Sequence, residues 1–131
     1  MNFLIDHNIE KHAGMIYGLI VKQGWLNWKK IKFSTFAEMK LPIESNDRIV
    51  WRLAQSNQMI LLTANRSRKG EDSLEQVLGE ENTPTSLPVL TIGNADRLLY
   101  EASYREDCVD RLMEIVLYIE NYKGVTRLFI P

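Results

Sequence analysis

The chain has 131 residues, 45% hydrophobic and 25% charged, the proportions of one globular domain. Sixteen Lys/Arg against seventeen Asp/Glu give a formal charge of −1, which excludes a general polyanion coat but not a local basic patch. The single Cys108 excludes an intramolecular disulfide, and one Cys with two His is too few ligands for a Cys/His zinc site.

The start, Met1 to Asp6, has no basic stretch and no long apolar run. A secretory signal is not expected there, and the expectation is a cytoplasmic protein. The apolar runs at 59–62 and 87–92 are too short to span a membrane.

Phe3-Leu4-Ile5 reads as a short strand stopped by Asp6. Over 9–23, Ile9, Ala13, Ile16, Tyr17 and Ile20 share one face of a helix that ends at Gly24. Trp25 and Trp28 read as packing residues at a sheet edge. A second strand is expected over 31–36, where Ile31 and Phe33 alternate with Lys32 and Ser34. Ser45 or Asn46 caps the next helix, whose stripe is Val50, Trp51 and Ala54. Residues 59–63 form an apolar run suited to a strand buried on both faces.

A basic loop follows at 66–70. Ser73 to Gln76 is a capping box opening a short helix. A fourth strand is expected over 89–92, and Asn94 caps a helical turn over 95–100. Ser103 to Glu106 is a second capping box. It opens a helix with Cys108, Leu112, Ile115, Val116 and Ile119 on one stripe, ended by Gly124. The last strand is 127–130.

Strands and helices alternate five times. That order predicts one α/β domain over 1–131, a mostly parallel sheet of about five strands flanked by helices.

In such sheets ligands bind outside the carboxyl ends of the strands, at the switch in strand order. Asp6 ends the first strand, with Asn8 two residues on. Asn65 follows the 59–63 strand, which ends on Thr63. Asp47 lies in the first turn of its helix, with Val50, Trp51 and Ala54 on the same face. Glu71 and Asp72 follow the basic loop. Oxygen ligands of this kind suit Mg²⁺ or Mn²⁺, which support in-line attack on a phosphodiester. Arg48, Arg66, Arg68 and Lys69 are candidates for holding phosphate.

Each has a structural alternative. Asp6, Asp47 and Asp72 all suit helix starts, and the basic run suits a solvated loop. His7 and His12 do not share a helical face. Neither a G-x-S-x-G elbow nor a G-x-G-x-x-G or G-x-x-x-x-G-K-[ST] loop is present.

Phe3-Leu4-Ile5-Asp6-His7-Asn8, then Asn46-Asp47-Arg48, then Ile60-Leu61-Leu62-Thr63-Ala64-Asn65, resembles the PIN-like domains. The nearest branch is the short single-domain bacterial one related to VapC-type toxins. The resemblance implies a metal-dependent endoribonuclease using Mg²⁺ or Mn²⁺, the toxin of a toxin–antitoxin pair with a small antitoxin partner, often dimeric. By resemblance, Asp6 and Asp47 match metal-binding acids. Asn65 stands where the family usually has Asp, which keeps an oxygen but loses a charge. Glu71 or Asp72 could restore that charge. The alternative is a catalytically weakened binding or assembly module.

The near-neutral total divides unevenly. Residues 1–70 hold 11 Lys/Arg and 5 Asp/Glu, while residues 71–131 hold 5 and 12. The basic half contains Asp6, Asp47, Asn65 and the basic loop, where an RNA backbone would approach.

Overall fold

Strand β1, Asn2–Ile5, leads through one turn of 3₁₀ helix into helix α1, Glu10–Lys22. Then come β2 (Lys32–Ser34), α2 (Asp47–Ser56), β3 (Met59–Thr63), α3 (Leu74–Glu81), β4 (Val89–Ile92), α4 (Ala95–Tyr100), α5 (Ala102–Leu117) and β5 (Arg127–Ile130). This computed structural model describes residues 1–65, 70 and 72–131.

The five strands form one sheet in the order β2-β1-β3-β4-β5, and every pairing is parallel. Leu4 stands opposite Leu61 on one side and Ser34 on the other. The α/β architecture is therefore the one expected from the alternation of elements.

Both faces of the sheet are covered, so its central strands β3 and β4 are buried at every position rather than alternately. Phe3, Ile5, Ile60, Leu62, Leu90 and Ile92 share one core with residues of α1, α4 and α5. Leu4, Met59, Leu61 and Val89 share the other with residues of α2 and α3. All five residues of β3 are buried. The stripe Cys108, Leu112, Ile115 and Val116 is wholly buried against its own sheet, not presented to a second copy. Burial also pushes the Cys108 thiol up to about 12, so it stays protonated and inert.

Three local caps are made as read. Asn46 Oδ1 accepts from the Ile49 amide at 2.9 Å, Ser73 Oγ from Gln76 at 3.3 Å, and Asn94 Oδ1 from Arg97 at 3.0 Å. The capping box at Ser103 is not. Helix α5 begins two residues earlier than that cap would start it, at Ala102, and Glu101 at its N-cap makes no side-chain cap bond. The Glu101 carboxylate is held instead by Arg97, at 2.8 and 3.1 Å. That helix also stops at Leu117, well before Gly124.

Trp28 departs further from expectation. Gly24 (φ +78°) reverses the chain after α1, and a 3₁₀ turn over Trp25–Asn27 follows. Trp25 packs partly against the core and donates to Gln23 Oε1 at 3.0 Å. Trp28 is left 83% exposed.

Candidate functional site

The strand order reverses between β1 and β3. From β1 the chain goes one way to β2, and then to the other side for β3, β4 and β5. The carboxyl ends of β1 and β3 are therefore the place where such a sheet leaves a crevice. Asp6 stands directly there. Its amide extends the ladder by donating to the Leu62 carbonyl at 3.0 Å. Its side chain then leaves the sheet, and Oδ1 accepts from the Asn8 amide at 3.3 Å, capping the 3₁₀ turn.

Thr63, the last residue of β3, joins two of the candidate residues. Its hydroxyl donates to Asp6 Oδ2 at 2.6 Å and accepts from the Asn65 amide at 2.9 Å. The Asn65 side chain continues the network, Nδ2 donating to Asp47 Oδ2 at 2.9 Å. Asp47 is brought there by the first turn of α2, which the Asn46 cap fixes. Two strands and a helix thus converge through four polar side chains. A small cavity of about 120 Å³ lies over them, lined by Asp6, His7, Asn8, Asp47, Thr63 and Asn65 with an apolar wall that includes Phe36 and Leu61.

The carboxyl of Asp47 is pushed above its ordinary value, first by burial and also by the charge of Asp6. Hydrogen bonds from Asn65 and the Leu74 amide, with the charge of Arg127, pull the other way. An acid whose ionisation is made costlier by burial and by a second carboxylate, at the crevice of a parallel sheet, is an arrangement a cation would relieve.

Sequence reasoning missed Arg127. From β5 it reaches back toward the carboxyl end of the sheet, with only 7% of its side chain exposed. Nη1 donates to the Asn65 carbonyl at 2.7 Å and to Thr91 Oγ1 at 2.5 Å, and Nη2 lies 2.8 Å from Glu75. It therefore fixes the main chain at Asn65. His7, which reads from the sequence as a solvent or core-edge residue, lines the cavity beside Asp6 and lies 3.3 Å from Glu10. Adjacency to Asp6 was its only signal in the sequence.

The other candidates fall elsewhere. Asp72 does not line the cavity, because Arg48 holds its carboxylate at 2.9 Å. Arg48 also meets Glu80 at 2.9 Å and Glu81, and only 18% of its side chain is exposed. Its charge is thus spent on three carboxylates, not offered to a phosphate. Glu71, Arg66, Arg68 and Lys69 lie outside the described residues. Among the described residues, no group of three or more His, Cys, Asp or Glu side chains is placed to hold a metal ion.

A larger cavity, about 1070 Å³, opens at the opposite end of the sheet, where Asn2, Gln58 and Leu87 lie beside the starts of their strands. It holds none of the candidate residues. Among the described residues, no helix is long and apolar enough to cross a membrane. No family model matches the chain, and no curated protein and no solved structure matches it.

Proposed function

We propose that the protein is a PIN-like, divalent-cation-dependent endoribonuclease acting at the crevice between β1 and β3. The observation that carries this reading is the convergence of Asp6 and Asp47 on one small polar cavity at the switch point of a parallel sheet.

The donor set fits Mg²⁺ or Mn²⁺. These ions commonly take one or two carboxylates and keep several waters, and the site offers two carboxylates. Asp6 and Asp47 would hold the ion, and Asn65 would contribute a neutral group beside them. Such an ion would supply Lewis acidity toward a phosphodiester and offset the charge that develops in in-line attack.

The chain's own residues do the positioning. Thr63 orients the Asp6 carboxylate by donating to one oxygen. Asn65 steers Asp47 through its amide. Arg127 locks the Asn65 backbone. The apolar wall of the cavity lowers the local dielectric and strengthens each of these interactions. A toxin role, with a small antitoxin-type protein as partner, extends the same reading, as does a homodimer.

One observation favours a second reading, a PIN-like module with weakened catalysis. Asn65 presents an N–H to Asp47, so part of that carboxylate's demand is already met by a neutral donor. An RNA-cleavage assay with Mn²⁺ or Mg²⁺ decides between them. The nuclease reading expects cleavage by the native chain and a loss of at least about 100-fold in Asp6→Ala, the scale of losing a charge-stabilising group. Equal rates for the two proteins would rule it out.

A further inference from the structure

Between Glu10 and Glu38 the chain contains no acidic residue and five lysines, Lys11, Lys22, Lys29, Lys30 and Lys32. The fold gathers four of these at one end of the sheet. Lys22 closes α1, Gly24 turns the chain back, and Lys32 opens the edge strand β2. The chain is pinned there by the start of β1. The Met1 ammonium donates to the Lys30 carbonyl at 2.6 Å, and the Lys32 amide donates to the Met1 carbonyl at 3.1 Å.

Lys22, Lys29, Lys30 and Lys32 are all exposed, and among the described residues none has an ion-pair partner. Their unopposed charge is felt by the Met1 ammonium. Its pKa is lowered first by burial, then by Lys29 and Lys30. Trp28 immediately precedes Lys29 and Lys30 in the chain and is 83% exposed.

Buried tryptophans stabilise a core, so an indole this exposed contributes almost nothing to folding. Beside four uncompensated cations it offers a π-face and a counter-charge together, the two components of a single-stranded nucleic-acid platform. A bilayer is the less suitable occupant. Only Trp28 is fully exposed among the apolar side chains of this region, with Val21 at 49% and Leu26 at 38%, which falls short of a continuous apolar face.

We propose that Trp28, flanked by Lys22, Lys29, Lys30 and Lys32, is a second nucleic-acid contact that stacks a base of single-stranded RNA and neutralises its adjoining phosphates. It lies at the amino ends of β1 and β2, across the sheet from Asp6 and Asp47. A strand held in the crevice would reach it only by passing round the β2 edge. The choice of RNA rests on the function proposed above, but the contact is tested by binding alone.

The experiment titrates the full chain with a fluorescein-labelled 15-mer of oligouridylate in EDTA, so that no cleavage intervenes. The native chain is expected to bind and to lose tryptophan fluorescence. Trp28→Ala should bind at least about fivefold more weakly, the lower end of one lost base–aromatic stack. Because single strands contribute about −0.7 to the log–log salt slope per phosphate, Lys29→Gln/Lys30→Gln should flatten the slope by about 1.4.

All these substitutions are at exposed positions, and far-ultraviolet circular dichroism confirms that each variant keeps its fold. Unchanged affinity in Trp28→Ala, or no binding by the native chain, would overturn the proposal. So would binding to phosphatidylserine vesicles without binding to the oligonucleotide. Cleavage that survives with Trp28-independent binding defeats this contact and spares the nuclease reading. Trp28-dependent binding without cleavage does the reverse.

Discussion

Burial and the Asp6 carboxylate together raise the Asp47 pKa above its ordinary 3.8, so the ionised side chain opposes folding at neutral pH. The sign follows from linkage. A carboxyl whose folded pKa is raised penalises the fold above that pKa. The penalty is relieved as pH falls through it, and it disappears below the unfolded value. Asp47→Asn should therefore raise Tm by a few degrees at pH 7 in the absence of divalent ions, since an amide oxygen still accepts from Asn65 without a charge. The gain should shrink toward zero below about pH 4, where both proteins are neutral at this position. Thermal melts of the two proteins at pH 7 and pH 3.5 check it. A loss of stability at pH 7 would show that the charge is compensated by more than Asn65, Leu74 and Arg127. Asp6, Asp47 and Asn65 were legible as candidates because each lies at or just beyond the end of an element, and element ends are visible in sequence. Arg127 was not legible, because its role depends on a side chain crossing β4 to reach Asn65.

Elements were read well where their signals are local. Asn46, Ser73 and Asn94 cap their helices through bonds to residues three positions on, so the short sequence motif contains both partners. The Ser103 box is not made because α4 runs almost directly into α5, which begins at Ala102 and so puts Ser103 inside the first turn instead of at the cap. Gly124 carries a different message from the one read. It does not end α5 but lets the chain pass the 82–86 loop on its way to β5. Its φ is +86°, its amide donates to the Ser86 carbonyl at 2.9 Å, and a Cβ there would sit 2.9 Å from the Pro84 carbonyl oxygen. Gly124→Ala is expected to destabilise the fold by about 1–3 kcal/mol through the left-handed backbone and that contact. Chemical denaturation gives the value directly, and a change under about 0.5 kcal/mol, the range of ordinary surface substitutions, would mean that the loop yields freely.

On the scale of the whole molecule, the topology places the chemistry. The parallel sheet followed from the alternation of strands and helices, and the crevice followed from the reversal of strand order between β1 and β3. Charge was harder to read. The basic first half suggested phosphate binding near the 66–70 loop and Arg48. In the fold, Arg48 is consumed by Asp72, Glu80 and Glu81, and among the described residues Lys22, Lys29, Lys30 and Lys32, without ion-pair partners, gather at the end of the sheet that carries Trp28. Sequence shows how many charges a segment carries, but pairing between segments decides which remain available.

Thermal denaturation with and without Mn²⁺ probes the divalent-cation site proposed at Asp6 and Asp47. An ion that binds only the folded chain stabilises it by about 2.7 kcal/mol at a hundredfold excess over Kd. The native protein should gain several degrees in Tm with saturating Mn²⁺. Asp6→Asn and Asp47→Asn should gain almost none, even though Asp47→Asn starts from the higher Tm without metal. An equal Mn²⁺ shift in all three proteins, or no shift in the native one, would rule out a cation held by these two carboxylates.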